Sequence, residues 1–159
     1  MYAMVATRPD IAFVVGVVSK FMANPGKKHW DAVKHLQRYL KGTTNTCVHF
    51  RNNEASIMGY ANADYAGCVD TQKSTSCYVF LFAEAIVSWR SILQNCTSSF
   101  MTESKDVAVS KASKEGMWLA RLLGDLGIHH IPMLHCNSQR AISLAKNPVF
   151  HSKLKHIEV

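Results

Sequence analysis

Apolar positions near the amino terminus recur every three or four residues, which is the spacing of one face of an α-helix. They follow a helix start signal over residues 7–10, in which Thr7 is the expected capping residue and Pro9 sits early in the helix. The turn at residues 24–26 ends this pattern. A second stretch of the same period runs from Trp30 to Gly42, where Gly42 is the expected residue just past the helix end. The region is therefore predicted to form a hairpin of two helices.

Beyond Gly42 the pattern changes to short apolar runs that are rich in β-branched and aromatic residues and separated by turn residues. The predicted strands are residues 48–50, 57–61, 77–82, 85–89 and 131–136. Helical spacing returns between about residues 102 and 127, and again over residues 139–146. This order predicts an α+β protein in which helices pack against a mixed sheet.

Composition places the 159-residue chain among globular proteins, with 48% hydrophobic and 18% charged residues. The sequence contains neither a run of about 18 apolar residues nor a secretory signal, so we expect a cytoplasmic or nuclear location. Five cysteines without a Cys-x-x-Cys pair predict reduced thiols rather than a disulfide framework or a zinc site.

Positive charge is concentrated in the first third of the chain. Residues 1–53 carry eight basic and two acidic side chains, whereas the remainder carries ten and nine. A concentrated positive field suits a polyanion, and nucleic acid is the usual partner of this kind. The alternative is a solvated helix face without a partner.

Sequence motifs along nearly the whole chain resemble the Pol polyproteins of copia-type LTR retrotransposons. Residues 1–53 are similar to the end of the family's reverse transcriptase region, through its thumb or connection, at residues 2–4, 7–12, 29–33 and 38–43. Residues 54–159 resemble its ribonuclease H domain, at residues 59–67, 73–76, 78–80, 87–89, 114–119, 138–142, 144–152 and 155–159. The resemblance implies two parts, a basic helical hairpin followed by a ribonuclease H-like domain that lacks the fold's terminal strand and helix.

The family resemblance implies a Mg²⁺-dependent enzyme that cuts RNA in RNA/DNA hybrids during reverse transcription. Such a site needs clustered carboxylates to hold two metal ions. The matching positions in this chain are Asn62, Lys105 and Asn137, and the family's last aspartate falls beyond residue 159. An amide is neutral and an ammonium repels a dication, so we expect no Mg²⁺ or other cofactor and no catalysis.

Nearby carboxylates could in principle rebuild a site. Asp64 shares a strand face with Asn62, but Glu103 points about 200° away from Lys105 on a helix. We therefore predict that Asp64 and Glu103 belong to an ordinary polar rim. Two alternatives to an inactive enzyme remain: a non-catalytic module that binds RNA/DNA hybrids, and an unselected relic without function.

The candidate nucleic-acid contacts are basic side chains at both ends of the chain: Lys28, Lys34, Arg38, Lys41, Lys153, Lys155 and His156. Solvated lysines are the alternative interpretation. The three tryptophans, Trp30, Trp89 and Trp118, are predicted to be core residues rather than stacking platforms. At residues 83–85 the chain has Ala-Glu-Ala where the family has three glycines, which would penalise a turn that needs positive φ.

Overall fold

A computed structural model describes residues 2–50 and 56–146 of the chain. The amino-terminal part contains α1 (Tyr2–Ala6), a 3₁₀ turn (Pro9–Ile11), α2 (Ala12–Ser19) and α3 (Lys27–Gly42). The remainder contains β1 (Ile57–Ala63), β2 (Thr75–Phe82), β3 (Ala85–Leu93), α4 (Met101–Asp125), β4 (Met133–Cys136) and α5 (Gln139–Lys146).

The strands form one mixed sheet in the order β3-β2-β1-β4. Strands β1, β2 and β3 are antiparallel neighbours, and β4 runs parallel to β1. A parallel neighbour requires a crossover connection, which is provided here by α4 between β3 and β4. The predicted α+β class with a mixed sheet is confirmed.

The hydrophobic core lies between the sheet and α4. It is built from Ile57 and Ala61 of β1, Phe80 of β2, and Ala112 and Leu119 of α4. Alternate side chains of a strand face opposite sides, so the odd-numbered residues of β1 meet α4 and the even-numbered ones turn away.

Two glycines make room for the ring of Phe80, which is fully buried. A Cβ atom at Gly59 would lie 2.4 Å from this ring, whereas one at Gly116 of α4 would lie 3.4 Å from it. Gly59 therefore permits a close approach that no other residue could allow without displacing Phe80.

The amino-terminal helices lie on the other side of the sheet. Helix α2 contacts β3, and the indole Nε1 of Trp89 donates a hydrogen bond to the Met4 carbonyl oxygen at 2.7 Å. The 3₁₀ turn holds α3 through Arg8, whose guanidinium binds Asp10 at 2.7 Å and the Thr43 hydroxyl at 2.7 Å. The Tyr39 hydroxyl donates to the same Asp10 carboxylate at 2.7 Å.

Several predicted boundaries are wrong. Residues 48–50 form no strand, because no strand within residues 2–50 and 56–146 pairs with them. Thr7 does not cap a helix, since its hydroxyl donates instead to the Ala3 carbonyl oxygen of α1 at 3.3 Å. Gly42 is the last residue of α3 rather than the residue after it, and Thr43 is the C-cap.

Other predicted elements are confirmed. Helix α5 covers the predicted residues, and the long helix ends where Gly127 adopts a φ of 78°. The predicted boundary between residues 53 and 54 lies outside the described residues. Within the described residues, no helix combines the length and apolar character needed to cross a membrane.

The turn between β2 and β3 has the strained backbone that its sequence predicts. Ala83 has a φ of 49° and Glu84 a φ of 63°. A two-residue hairpin turn with both central residues at positive φ is normally occupied by glycine or asparagine. The chain therefore stores backbone strain at this turn.

Candidate functional site

The carboxyl ends of β1 and β4 bring together two of the site positions that the sequence predicts. Their parallel register pairs Ala61 with Cys136, so Asn62 and Asn137 are the next residues along the two strands. Both are exposed, and the Asn62 side-chain oxygen accepts a hydrogen bond from the Ala63 N–H at 2.9 Å. Two neutral amides therefore stand at this end of the sheet.

A buried polar network fixes the start of α4 at the same end of the sheet. The amide nitrogen of Gln94 donates to the Ser76 hydroxyl at 2.7 Å and to the Ser104 carbonyl oxygen at 2.9 Å. Ser76 pairs with Ala63 in the ladder, so the first two turns of α4, which include Lys105, lie near the end of β1. Lys105 belongs to the helix that covers one face of the sheet, whereas Asn62 is exposed on the other face.

The two remaining carboxylates named from the sequence are used locally. A carboxylate oxygen of Asp64 accepts a hydrogen bond from the Thr75 N–H. Glu103 accepts one from the Ser99 N–H at 2.8 Å, just before α4 begins. These contacts stabilise a loop and a helix start, and they leave fewer oxygen lone pairs for a metal ion.

Asp106 is a carboxylate near the start of α4 with an oxygen atom that could still bind a metal ion. Burial raises its pKa, while Arg140 of α5 opposes that shift and Glu103 adds to it. Its Oδ1 atom is buried and has no hydrogen-bond partner. Desolvation favours the neutral acid, which is a poor ligand for a hard dication.

These residues do not fit two Mg²⁺ ions. The predicted site positions present two amides and one ammonium, and one carboxylate oxygen without a hydrogen-bond partner, on Asp106, lies in the neighbouring first turns of α4. Among the described residues, no group of three or more His, Cys, Asp or Glu side chains could hold a metal ion.

The predicted nucleic-acid contacts fall into three groups. Lys34, Arg38 and Lys41 are exposed at spacings of four and three residues, so they form one stripe along α3. Lys28 is also exposed, but it lies about 120° around the helix from Lys34. The other three predicted contacts, Lys153, Lys155 and His156, lie outside the described residues.

The prediction that the tryptophans form the core is wrong for two of them. Trp30 is 57% exposed and Trp118 is 56% exposed, whereas Trp89 is half-buried and hydrogen-bonded. Helix α3 has no buried residue, because only one of its sides rests on the rest of the chain.

The sequence reasoning missed the polar network around Gln94. Gln94 is 1% exposed, and its side-chain oxygen accepts a hydrogen bond from the Ser98 hydroxyl at 3.1 Å. The only signal in the sequence is a cluster of small hydroxyl residues at 74–76 and 97–99, which is equally typical of loops.

Comparison with known proteins identifies close relatives over nearly the whole chain. The chain is 48% identical over 160 residues to the retrovirus-related Pol polyprotein from transposon TNT 1-94 of Nicotiana tabacum. It is 37% identical over 154 residues to the Pol polyprotein from transposon RE2 of Arabidopsis thaliana. The matches cover 100% and 95% of this chain but only 12% and 11% of those proteins.

A third relative is a much shorter protein. The secreted RxLR effector protein 161 of Plasmopara viticola is 43% identical over 120 residues, which are 75% of this chain and 84% of that protein. The matched region therefore makes up most of that relative. No protein-family model matches the chain.

Proposed function

We propose, from the premise that this chain belongs to the family of copia-type retrotransposon Pol proteins, that it is a ribonuclease H-like region without nuclease activity. The ancestral activity would be cleavage of RNA in RNA/DNA hybrids. The chain spans about an eighth of the length of the Pol relative from transposon TNT 1-94. The activities of the whole polyprotein are therefore proposed for the ancestor of this chain and not for the chain itself.

The proposal rests on one observation. The positions that the sequence resemblance assigns to metal-binding carboxylates are Asn62, Lys105 and Asn137, and Asn62 and Asn137 follow paired residues of β1 and β4. A two-metal mechanism needs negative charge there to hold the ions and to offset their mutual repulsion. This set of side chains supplies no negative charge and one positive charge.

Cleavage of a 5′-labelled RNA strand annealed to DNA tests the proposal. The chain is incubated with the hybrid in Mg²⁺ and, separately, in Mn²⁺, and bacterial ribonuclease H serves as the assay control. We expect no product above the buffer blank. Metal-dependent RNA cleavage that co-purifies with the folded chain and is lost in an Asp106→Asn variant would refute the proposal, because it would identify a rebuilt site.

A second candidate function is a non-catalytic nucleic-acid binding module. The stripe of Lys34, Arg38 and Lys41 on α3 supports it, since these cations are exposed and closely spaced. Phosphate contacts of this kind give an affinity that falls steeply with salt. Phosphate contacts weaken strongly between 50 and 200 mM salt. An affinity for a labelled RNA/DNA hybrid that does not change over this range would exclude this function.

A further inference from the structure

Trp30 lies on the outward side of α3. The half-buried residues of this helix include Val33, Leu36 and Leu40, and these form the side that rests on the rest of the chain. His29 marks the same side, because its ring stacks on Phe21 with centroids 4.1 Å apart. Trp30 is 57% exposed, so its large apolar surface is left in solvent.

The same outward side carries four cations. Lys27, Lys34, Arg38 and Lys41 are all exposed, and at about 100° per residue they share an arc of about 80° with Trp30. They extend about 21 Å along the helix axis. An exposed aromatic ring with four cations along one side of it on the same helix forms a surface that we call the Trp30 stripe.

Local acidic charge does little to neutralise the Trp30 stripe. Asp31 pairs with Lys34 at 3.1 Å, but both side chains are about half exposed, at 49% and 45%. Such a surface ion pair is weak and can exchange for a phosphate. The stripe therefore remains complementary to an anionic chain.

Aromatic rings between cations suit unpaired nucleotides. A base stacks on the ring face while its phosphates meet the cations, and this combination works for any base sequence. In a duplex the base faces are already stacked on each other, so only the phosphate contacts remain. The ring thus distinguishes a single strand from a duplex.

We propose that the Trp30 stripe binds single-stranded nucleic acid, with one base stacked on Trp30 and phosphates of neighbouring nucleotides held by Lys27, Lys34, Arg38 and Lys41. The inference rests on the second candidate function, whose α3 cations it uses, and deepens it by naming single strands as the ligand; it does not depend on the end of the sheet. Its failure would leave the nuclease result unchanged.

Fluorescence anisotropy of the full chain with labelled 15-mers of dT and of U tests the inference. We expect binding to both, weaker binding to a DNA duplex and to an RNA/DNA hybrid of the same length, and quenching of tryptophan emission. Trp30→Ala should weaken single-strand binding about tenfold or more, whereas Trp30→Phe should retain most of it. Because Trp30 is exposed and alanine favours helix, circular dichroism should show both variants folded.

Two matched charge variants test whether phosphates contact only the side of α3 that carries the Trp30 stripe. Lys34→Gln should lower the dependence of log K on log salt by about 0.7, which is the share of one phosphate contact on a single strand. Lys28→Gln removes the same charge from the same helix but from outside the stripe, and it should leave that dependence unchanged.

Three results would overturn the inference. The first is duplex binding as tight as single-strand binding. The second is a Trp30→Ala variant that binds like the wild type. The third is stronger, Trp30-dependent binding to vesicles of phosphatidylserine and phosphatidylcholine, which would assign the stripe to a lipid surface.

Discussion

Replacing Ala83 by glycine should stabilise the protein, although it removes a side chain. Ala83 and Glu84 occupy the left-handed region with φ values of 49° and 63°. An L-residue there costs about 1–2 kcal/mol because its Cβ atom approaches backbone oxygen. Glycine avoids this cost, but its greater conformational entropy stabilises the unfolded chain by about 0.4–1 kcal/mol.

The expected net gain is about 0.5–1 kcal/mol for Ala83→Gly. For a chain of this size, 1 kcal/mol corresponds to about 2–4 °C in melting temperature. The Ala83→Gly variant should therefore melt about 1–4 °C above the wild type.

Thermal unfolding followed by far-UV circular dichroism measures this shift, at several protein concentrations so that self-association is detected. Ala85→Gly is the matched control, since Ala85 is 2% exposed at the start of β3 and does not have positive φ. Glycine there should lower the melting temperature. A drop in melting temperature for Ala83→Gly as large as that for Ala85→Gly would refute the strain argument.

Three further predictions concern other parts of the structure. The pKa of Asp10 is lowered to about 2, chiefly by the hydrogen bond from Arg8, so Asp10 contributes stability above pH 4 that is lost as the pH falls toward 2. This contribution is about 1 kcal/mol after allowance for the exposure of the carboxylate. Asp10→Asn should abolish this pH dependence, which acid denaturation curves measure. Gly59→Ala should destabilise by about 1–3 kcal/mol or more in urea unfolding because its Cβ meets Phe80, whereas Gly116→Ala should stay within about 1 kcal/mol of the wild type. Gln94→Leu should lower the free energy of unfolding by about 2–4 kcal/mol in the same assay, since it leaves the buried Ser76 hydroxyl and Ser104 carbonyl groups without their hydrogen-bond partner.

The periodic parts of the chain could be predicted from sequence. The α5 boundaries and the long helix followed from apolar spacing and from stop signals such as Gly127. Whether a short apolar run forms a strand is harder to predict from sequence than whether a periodic segment forms a helix. Residues 48–50 have a strand-like composition, but a strand forms only where a neighbour supplies hydrogen bonds, and none of the described strands pairs with them.

Burial was harder to predict than helical period. Trp30 lies about 60° from Val33 on the helical wheel, at the edge of the apolar side, and the period cannot say which edge the rest of the chain covers. The same limit applies to the candidate site. Motif matching named Asn62, Lys105 and Asn137, but only strand register shows that Asn62 and Asn137 are neighbours. The Gln94 network joins distant segments and has no periodic signal at all.

Direct measurement of Mg²⁺ binding tests the central claim that this end of the sheet has lost its metal chemistry. Isothermal titration calorimetry compares the wild type with an Asn62→Asp, Lys105→Glu, Asn137→Asp variant, after circular dichroism has shown both to be folded. We expect no saturable heat for the wild type up to about 10 mM Mg²⁺, and at least about tenfold tighter binding by the variant, because three carboxylates replace a cation and two amides. Saturable Mg²⁺ binding by the wild type as tight as that of the variant would contradict the account.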